Sequence, residues 1–260
     1  MIKVKFFLVL IAFGLSLVPF KAESQSPPPP VMAALELWKL TSPIENRDIF
    51  DGLKLNPVVG FDAPLAQYRP ENGGMIEIGQ NLRNYRRDYI FLSSPMDVST
   101  KPDFDQYLAV LIMLSLSNEA THILQDKNGS LKDFYKSYQS GDVNKACTIY
   151  ALQQHASDIM MLKSAMQVEM LFLGQGSTKG LNALRLALQK NNLRDEFENF
   201  REAMKRQNIS ELNHVLSSIR LKRNTLNMSA LKFCPPSFHT QLNKKIISRA
   251  TEPVGLPFKK

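Results

Sequence analysis

"YLAVLIMLSL", residues 107–116, is an uncharged run bounded by Asp103 and Asp105 on one side and Glu119 on the other. Ten residues of helix rise only about 15 Å, half of the roughly 30 Å hydrocarbon core of a bilayer, so the run reads as the buried core helix of a globular domain. Thr100-Lys-Pro-Asp103 reads as its start, and the apolar pattern carries it through Leu124.

Downstream, the spacing predicts more helices. Ser130-Leu-Lys-Asp133 reads as the cap of a short one, and Asp142 starts a long one. On the long helix Ile149, Leu152, Ala156, Ile159, Met166, Met170 and Leu173 recur at helical spacing, interrupted by Lys163. "GQGSTKG", residues 174–180, ends it. Three shorter helices follow, with stripes at Leu181, Leu184 and Leu188, then Leu193, Phe197, Phe200 and Met204, then Leu212, Val215, Leu216 and Ile219. Their expected caps are Asn192-Leu-Arg-Asp195 for the second and Ser210 for the third, and a last helix is expected after Pro235 and Pro236. Short loops between amphipathic helices imply antiparallel packing, so the expected fold is mainly α: a helical bundle over residues 100–250.

Residues 42–99 read as an irregular arm, broken by Pro57, Gly60, Pro64, Pro70, Gly73 and Gly74, with a short helix starting at the Ser42-Pro43-Ile44-Glu45 capping box. "MIEIG" (75–79) alternates and "DYIFL" (88–92) is β-rich, so the two are expected to pair as one small hairpin, with a helical turn as the other reading of the segment between them. Residues 25–41 join a stiff Pro27–Pro30 spacer to a short helix in "VMAALELWKL".

The first 24 residues resemble an export signal in composition. Lys3 and Lys5 precede an uncharged run from Phe6 to Phe20, and Ala22 and Ser24 put small residues at a cleavage site after Ser24. The expected location is secreted or periplasmic, with no stable transmembrane segment after cleavage. In that setting Cys147 and Cys234, the only cysteines, are expected to pair. Closing so long a loop is worth on the order of 4 kcal/mol in a chain-entropy account. Three Asn-x-Ser sequons, at Asn128, Asn208 and Asn227, carry meaning only in a eukaryotic secretory pathway.

Charge is unevenly placed. The whole chain carries +8, but residues 25–176 carry 13 Lys and Arg against 17 Asp and Glu, whereas residues 177–260 carry 16 against 6. Arg220, Lys222, Arg223, Lys244, Lys245 and Arg249 lead into a basic tail at 251–260 and are the candidate contacts for an anionic surface. Few aromatics interleave them, which disfavours nucleic acid. The ordinary reading of such a region is a solvated charged face.

Motifs for chemistry are sparse. The chain has neither a Gly-x-Ser-x-Gly elbow nor a His-Glu-x-x-His pair, and nothing calls for a cofactor. "GQGSTKG" departs from a phosphate loop in spacing and follows a helix rather than a strand. Glu119-Ala-Thr-His122 has the spacing of one half of a di-metal bundle site, and His155-Ala-Ser-Asp158 repeats it in reverse on the long helix. These four are the candidate metal ligands, against the plainer reading of hydrogen-bonded histidines. Met160, Met161, Met166 and Met170 read as core or pliable interface rather than a copper site. Arg83, Tyr85, Arg86, Arg87, Tyr89 and Phe91 combine the residue types most enriched in binding hot spots and form the candidate partner-contact segment. The expectation is an exported, non-enzymatic binding or assembly protein with a protein partner, such as an accessory subunit of an envelope or secretion complex. The alternatives are a metal-dependent helical-bundle enzyme and a binder of anionic surfaces through the basic C-terminal region.

Overall fold

A computed structural model describes residues 29–41, 55–58, 65–69, 75–79, 83–207, 211–212 and 214–215. The expected export signal, the Ser42 capping box, the Ser210 cap, Cys234, the last helix and the whole basic C-terminal region lie outside these residues. The described elements run α1 (Pro29–Thr41), β1 (Leu55–Val58), β2 (Ala66–Arg69), β3 (Met75–Gly79), α2 (Arg83–Ser93), α3 (Phe104–Lys127), α4 (Ser130–Gln139), α5 (Val143–Gly174), α6 (Thr178–Lys190) and α7 (Arg194–Lys205). The fold is mainly α, a bundle of helices with one small sheet.

Helix α3 is the axis of the bundle. Helices α1, α5 and α6 pack along it, β2 lies against it, and α2 and α4 cross near its two ends. Its side chains are buried from Tyr107 through Leu114 without a break, so it shows no apolar stripe because no side faces water. It is long and apolar enough to cross a bilayer, but 72% of its most apolar stretch is buried inside the fold. Three hydroxyl side chains within it are satisfied by its own backbone. Ser115, Ser117 and Thr121 each donate to the carbonyl four residues earlier, at 3.0, 3.1 and 3.0 Å. Its N-cap is Asp103 rather than Thr100: the Asp103 carboxylate accepts from Gln106 N–H at 2.7 Å, and the Gln106 side chain reaches back to complete a capping box.

The long helix α5 starts where expected, with Asp142 accepting from Lys145 N–H at 3.1 Å, but it buries a different face. Leu152, Met170 and Leu173 of the expected stripe are exposed, and Ile149, Ala156, Ile159 and Met166 are only half-buried. The face carrying Gln153, Ser157, Met161, Ser164 and Val168 turns inward instead. At about 100° per residue these two sets lie on nearly opposite sides of the helix. Gln125 Nε2 donates to the Gln153 carbonyl at 3.0 Å and Asn118 Nδ2 reaches Met161 Sδ at 3.5 Å, which registers α5 antiparallel to α3. Ser157 and Ser164 on this face are small, and the larger Gln153 and Met161 are buried beside them against α3. The four methionines therefore do not converge: Met161 is buried and Met170 is exposed.

Three other expectations are corrected. Pro29 and Pro30 are not an extended spacer but the first residues of α1, where a missing N–H costs nothing. Gly129, in the left-handed region at φ 82°, precedes α4 in place of a Ser130 cap, and Ser130 accepts from Gln153 Nε2 at 3.0 Å. Leu193, without a side-chain cap, precedes α7, while Asn192 turns the chain at φ 54°. "GQGSTKG" is the turn between α5 and α6, with Ser177 Oγ accepting from Gly180 N–H at 3.1 Å.

The sheet has the order β1-β3-β2, with β3 parallel to β1 and antiparallel to β2. "MIEIG" is a strand as expected. Its hairpin partner is β2, with Ala66 opposite Ile78 and Tyr68 opposite Ile76. "DYIFL" is helical, part of α2. Its inward side chains Tyr85, Asp88, Tyr89 and Leu92 follow helical spacing, and that packing outweighs the β propensity of the residues. Alternation places Ile76, Ile78, Ala66 and Tyr68 in the core.

Candidate interaction surface

Helix α2 spans the expected partner-contact segment and divides it into two faces. Inside, Tyr89 is a rivet: its hydroxyl donates to the Pro102 carbonyl at 2.6 Å, and its ring lies 5.5 Å from Phe104 and 5.6 Å from Tyr107. Asp88 pairs with Lys190 of α6 at 2.5 Å. Burial pushes the Tyr85 hydroxyl above the usual phenol range; the Asp88 charge adds to this and a backbone hydrogen bond from Leu65 opposes it. The Tyr107 hydroxyl is raised in the same way by burial, then by Asp88 and Tyr85, and finds no hydrogen-bond partner among the described residues.

Outside, the helix presents Arg86, Arg87, Ile90 and Phe91. Phe91 is 77% exposed and Ile90 58% exposed, and Val98, on the turn that follows, is 85% exposed. Arg86 and Arg87 share the outer face of α2 with Ile90 and Phe91. The Arg86 guanidinium lies 5.7 Å from the Phe104 ring and Lys101 Nζ 5.4 Å from the Tyr89 ring. The structure thus separates the six predicted residues. Tyr85 and Tyr89 anchor the helix, Arg86, Arg87 and Phe91 face outward, and the Arg83 side chain lies outside what is described. Ile90 shares the outer face with Phe91, but as an aliphatic residue it carries no hot-spot signal in the sequence, and no periodicity marks the exposed Val98 or Lys101, which follow the helix.

Of the four candidate metal ligands, Glu119 and His122 have hydrogen-bond partners within the fold. Glu119 Oε2 accepts from Tyr68 N–H at 2.8 Å, tying the sheet to α3. Burial pushes its carboxyl up to about 7, against the lowering effect of that hydrogen bond. His122 Nδ1 lies 2.8 Å from Gln125 Oε1, and burial lowers the imidazole below its ordinary value. His155 and Asp158 are buried on α5. Among the described residues, no three His, Cys, Asp or Glu side chains gather as a metal site.

Two further features escaped the sequence. Phe134, Tyr135, Tyr138 and Tyr150 form an aromatic cluster on α4 and α5, with Phe134 at 5.3–6.2 Å from the other three rings. A trench of about 390 Å³ runs between α1, α3 and α6. No protein-family model, curated protein or solved structure matches this chain.

Proposed function

We propose that this chain is an exported, non-enzymatic binding or assembly protein that meets a protein partner through the outer face of α2, as an accessory subunit of an envelope or secretion complex. The observation that carries the reading is the exposed set Ile90, Phe91 and Val98 beside Arg86, Arg87 and Lys101. Large apolar side chains exposed together and rimmed by cations are typical of a contact surface, and aromatic and Arg residues carry much of the energy at such surfaces. The inner rivets hold α2 against α3 and α6, so the surface is presented by a rigid element. The cationic rim favours an acidic partner face. Export is supported by the Lys3 and Lys5 head, the uncharged run that follows and the Ala22/Ser24 exit. We also propose a Cys147–Cys234 bridge; Cys147 is fully buried and is not a free thiol.

The test is crosslinked affinity purification of the tagged full chain from its native cells, with mass spectrometry of bait and prey. A stoichiometric partner that is lost with Arg87→Glu plus Phe91→Ser, but kept with Lys132→Glu on α4, supports the reading. A partner retained by the double variant, or no partner at all, overturns it. A bait that begins at Met1 overturns cleavage of the leader, and thiol labelling of both cysteines in the unreduced protein overturns the bridge.

A further inference from the structure

We propose that the trench between α1, α3 and α6 binds a cationic amphiphile, a molecule with an aliphatic body and a single ammonium head. The walls are apolar along most of their length, with Pro30, Ala33 and Leu37 from α1 facing Val110 of α3 and Ala183 of α6. The polar lining is Asp103, Asp105 and Gln106, all from the first turn of α3 and its cap, so it is confined to one end. Among the described residues, no Lys, Arg or His lines the trench. One carboxylate oxygen of Asp103 accepts from Gln106 N–H, which leaves its other oxygen and the Asp105 carboxylate to meet a cation. The site is therefore complementary in both respects: an apolar groove for the chain and two carboxylates for the head.

Size sets the length of the chain. At about 30 Å³ per small heavy-atom group, the trench holds roughly a dozen such groups. Gly180 sets the shape of one wall. A Cβ at this position would lie 2.7 Å from the Phe172 ring, so glycine is what lets that ring pack against α6. The alternative occupants are the residues ahead of Pro29, which itself lines the trench, and a second copy of the chain.

The test is titration calorimetry of the full processed protein with n-decylamine, a probe of about the right length, and with n-decanoate, the same body with the opposite head. The expected result is saturable binding of the amine and none of the carboxylate. Asp105→Lys, at an exposed position in the first turn of α3, is expected to weaken amine binding about fivefold or more, with only a small fall in Tm from the reversed charge at the helix N-terminus. Gly180→Ala, which forces Phe172 to move, is expected to abolish it. Equal binding of both probes, or amine binding unchanged in Asp105→Lys, overturns the proposal. So does amine binding that appears only after residues 25–28 are removed, because the chain's own N-terminal segment is then the occupant. Association of the protein that Asp105→Lys breaks, with no amine binding, overturns it in favour of a second copy.

Discussion

Glu119 makes the attachment of the sheet to the bundle depend on pH, and the sign follows from its surroundings. In the unfolded chain the carboxyl titrates at its ordinary value of 4.5; in the fold, burial pushes it to about 7. Between these values the folded state binds the extra proton, so stability is greatest below pH 4.5 for this group and is lost as pH rises towards 7. A shift of that size corresponds to a ceiling of about 3 kcal/mol; Glu119 keeps partial solvent contact, so the realised loss is smaller. Tyr68 N–H donates to this carboxylate in either protonation state, and a glutamine at 119 retains an oxygen that can accept it. The decisive measurement is urea unfolding of the wild type and Glu119→Gln from pH 4.5 to 8.5. Taking the difference between the two proteins at each pH cancels the other titrating groups. The variant is expected to match the wild type at pH 4.5 and to exceed it by about 1–3 kcal/mol at pH 8. A flat difference across that range would falsify the argument that Glu119 is desolvated where β2 docks.

Other perturbations follow from single contacts. His122, lowered by burial, acts in the opposite sense: its folded-state contribution is lost as pH falls below the ordinary histidine value of 6.5, and His122→Asn is expected to remove that acid limb in the same urea series. Tyr107→Phe deletes a buried hydroxyl that has no partner among the described residues, and is expected to raise stability by about 1 kcal/mol in denaturant titration. Tyr68→Phe removes the 2.6 Å hydrogen bond to Asp126 and is expected to cost about 1.5–3 kcal/mol by the same measurement. Asp103→Ala removes the α3 cap and is expected to lower stability by about 1 kcal/mol, whereas Thr100→Ala, at the residue first read as the start, is expected to change it by less than about 0.5 kcal/mol.

Much of the candidate surface was legible in outline. The mixture of Arg, Tyr and Phe between 83 and 91 singles out a candidate segment, but reading 88–92 as a strand hides its division into anchors and outward residues. The true hairpin had a local signal: Asn72-Gly73 sits between two short alternating runs. The trench had none, since its walls come from α1, α3 and the corner between α5 and α6, which are distant from one another in sequence, and its width depends on what glycine at 180 allows Phe172 to do.

Taken alone, the sequence determined the helical class, the central place of 107–116 and the starts of α3 and α5 to within a few residues. Those features depend on local caps and on a run of side chains that water excludes wherever it is placed. It did not determine which side of α5 faces inward. Leu152, Met170 and Leu173 are the more apolar choice, yet the face with Ser157, Met161, Ser164 and Val168 is buried, because the helices packed around α5 decide which side turns inward. Nor did it determine that Glu119 meets the backbone of the sheet and His122 a glutamine. Helical spacing brings two side chains to one face, but only the neighbouring element decides what they meet.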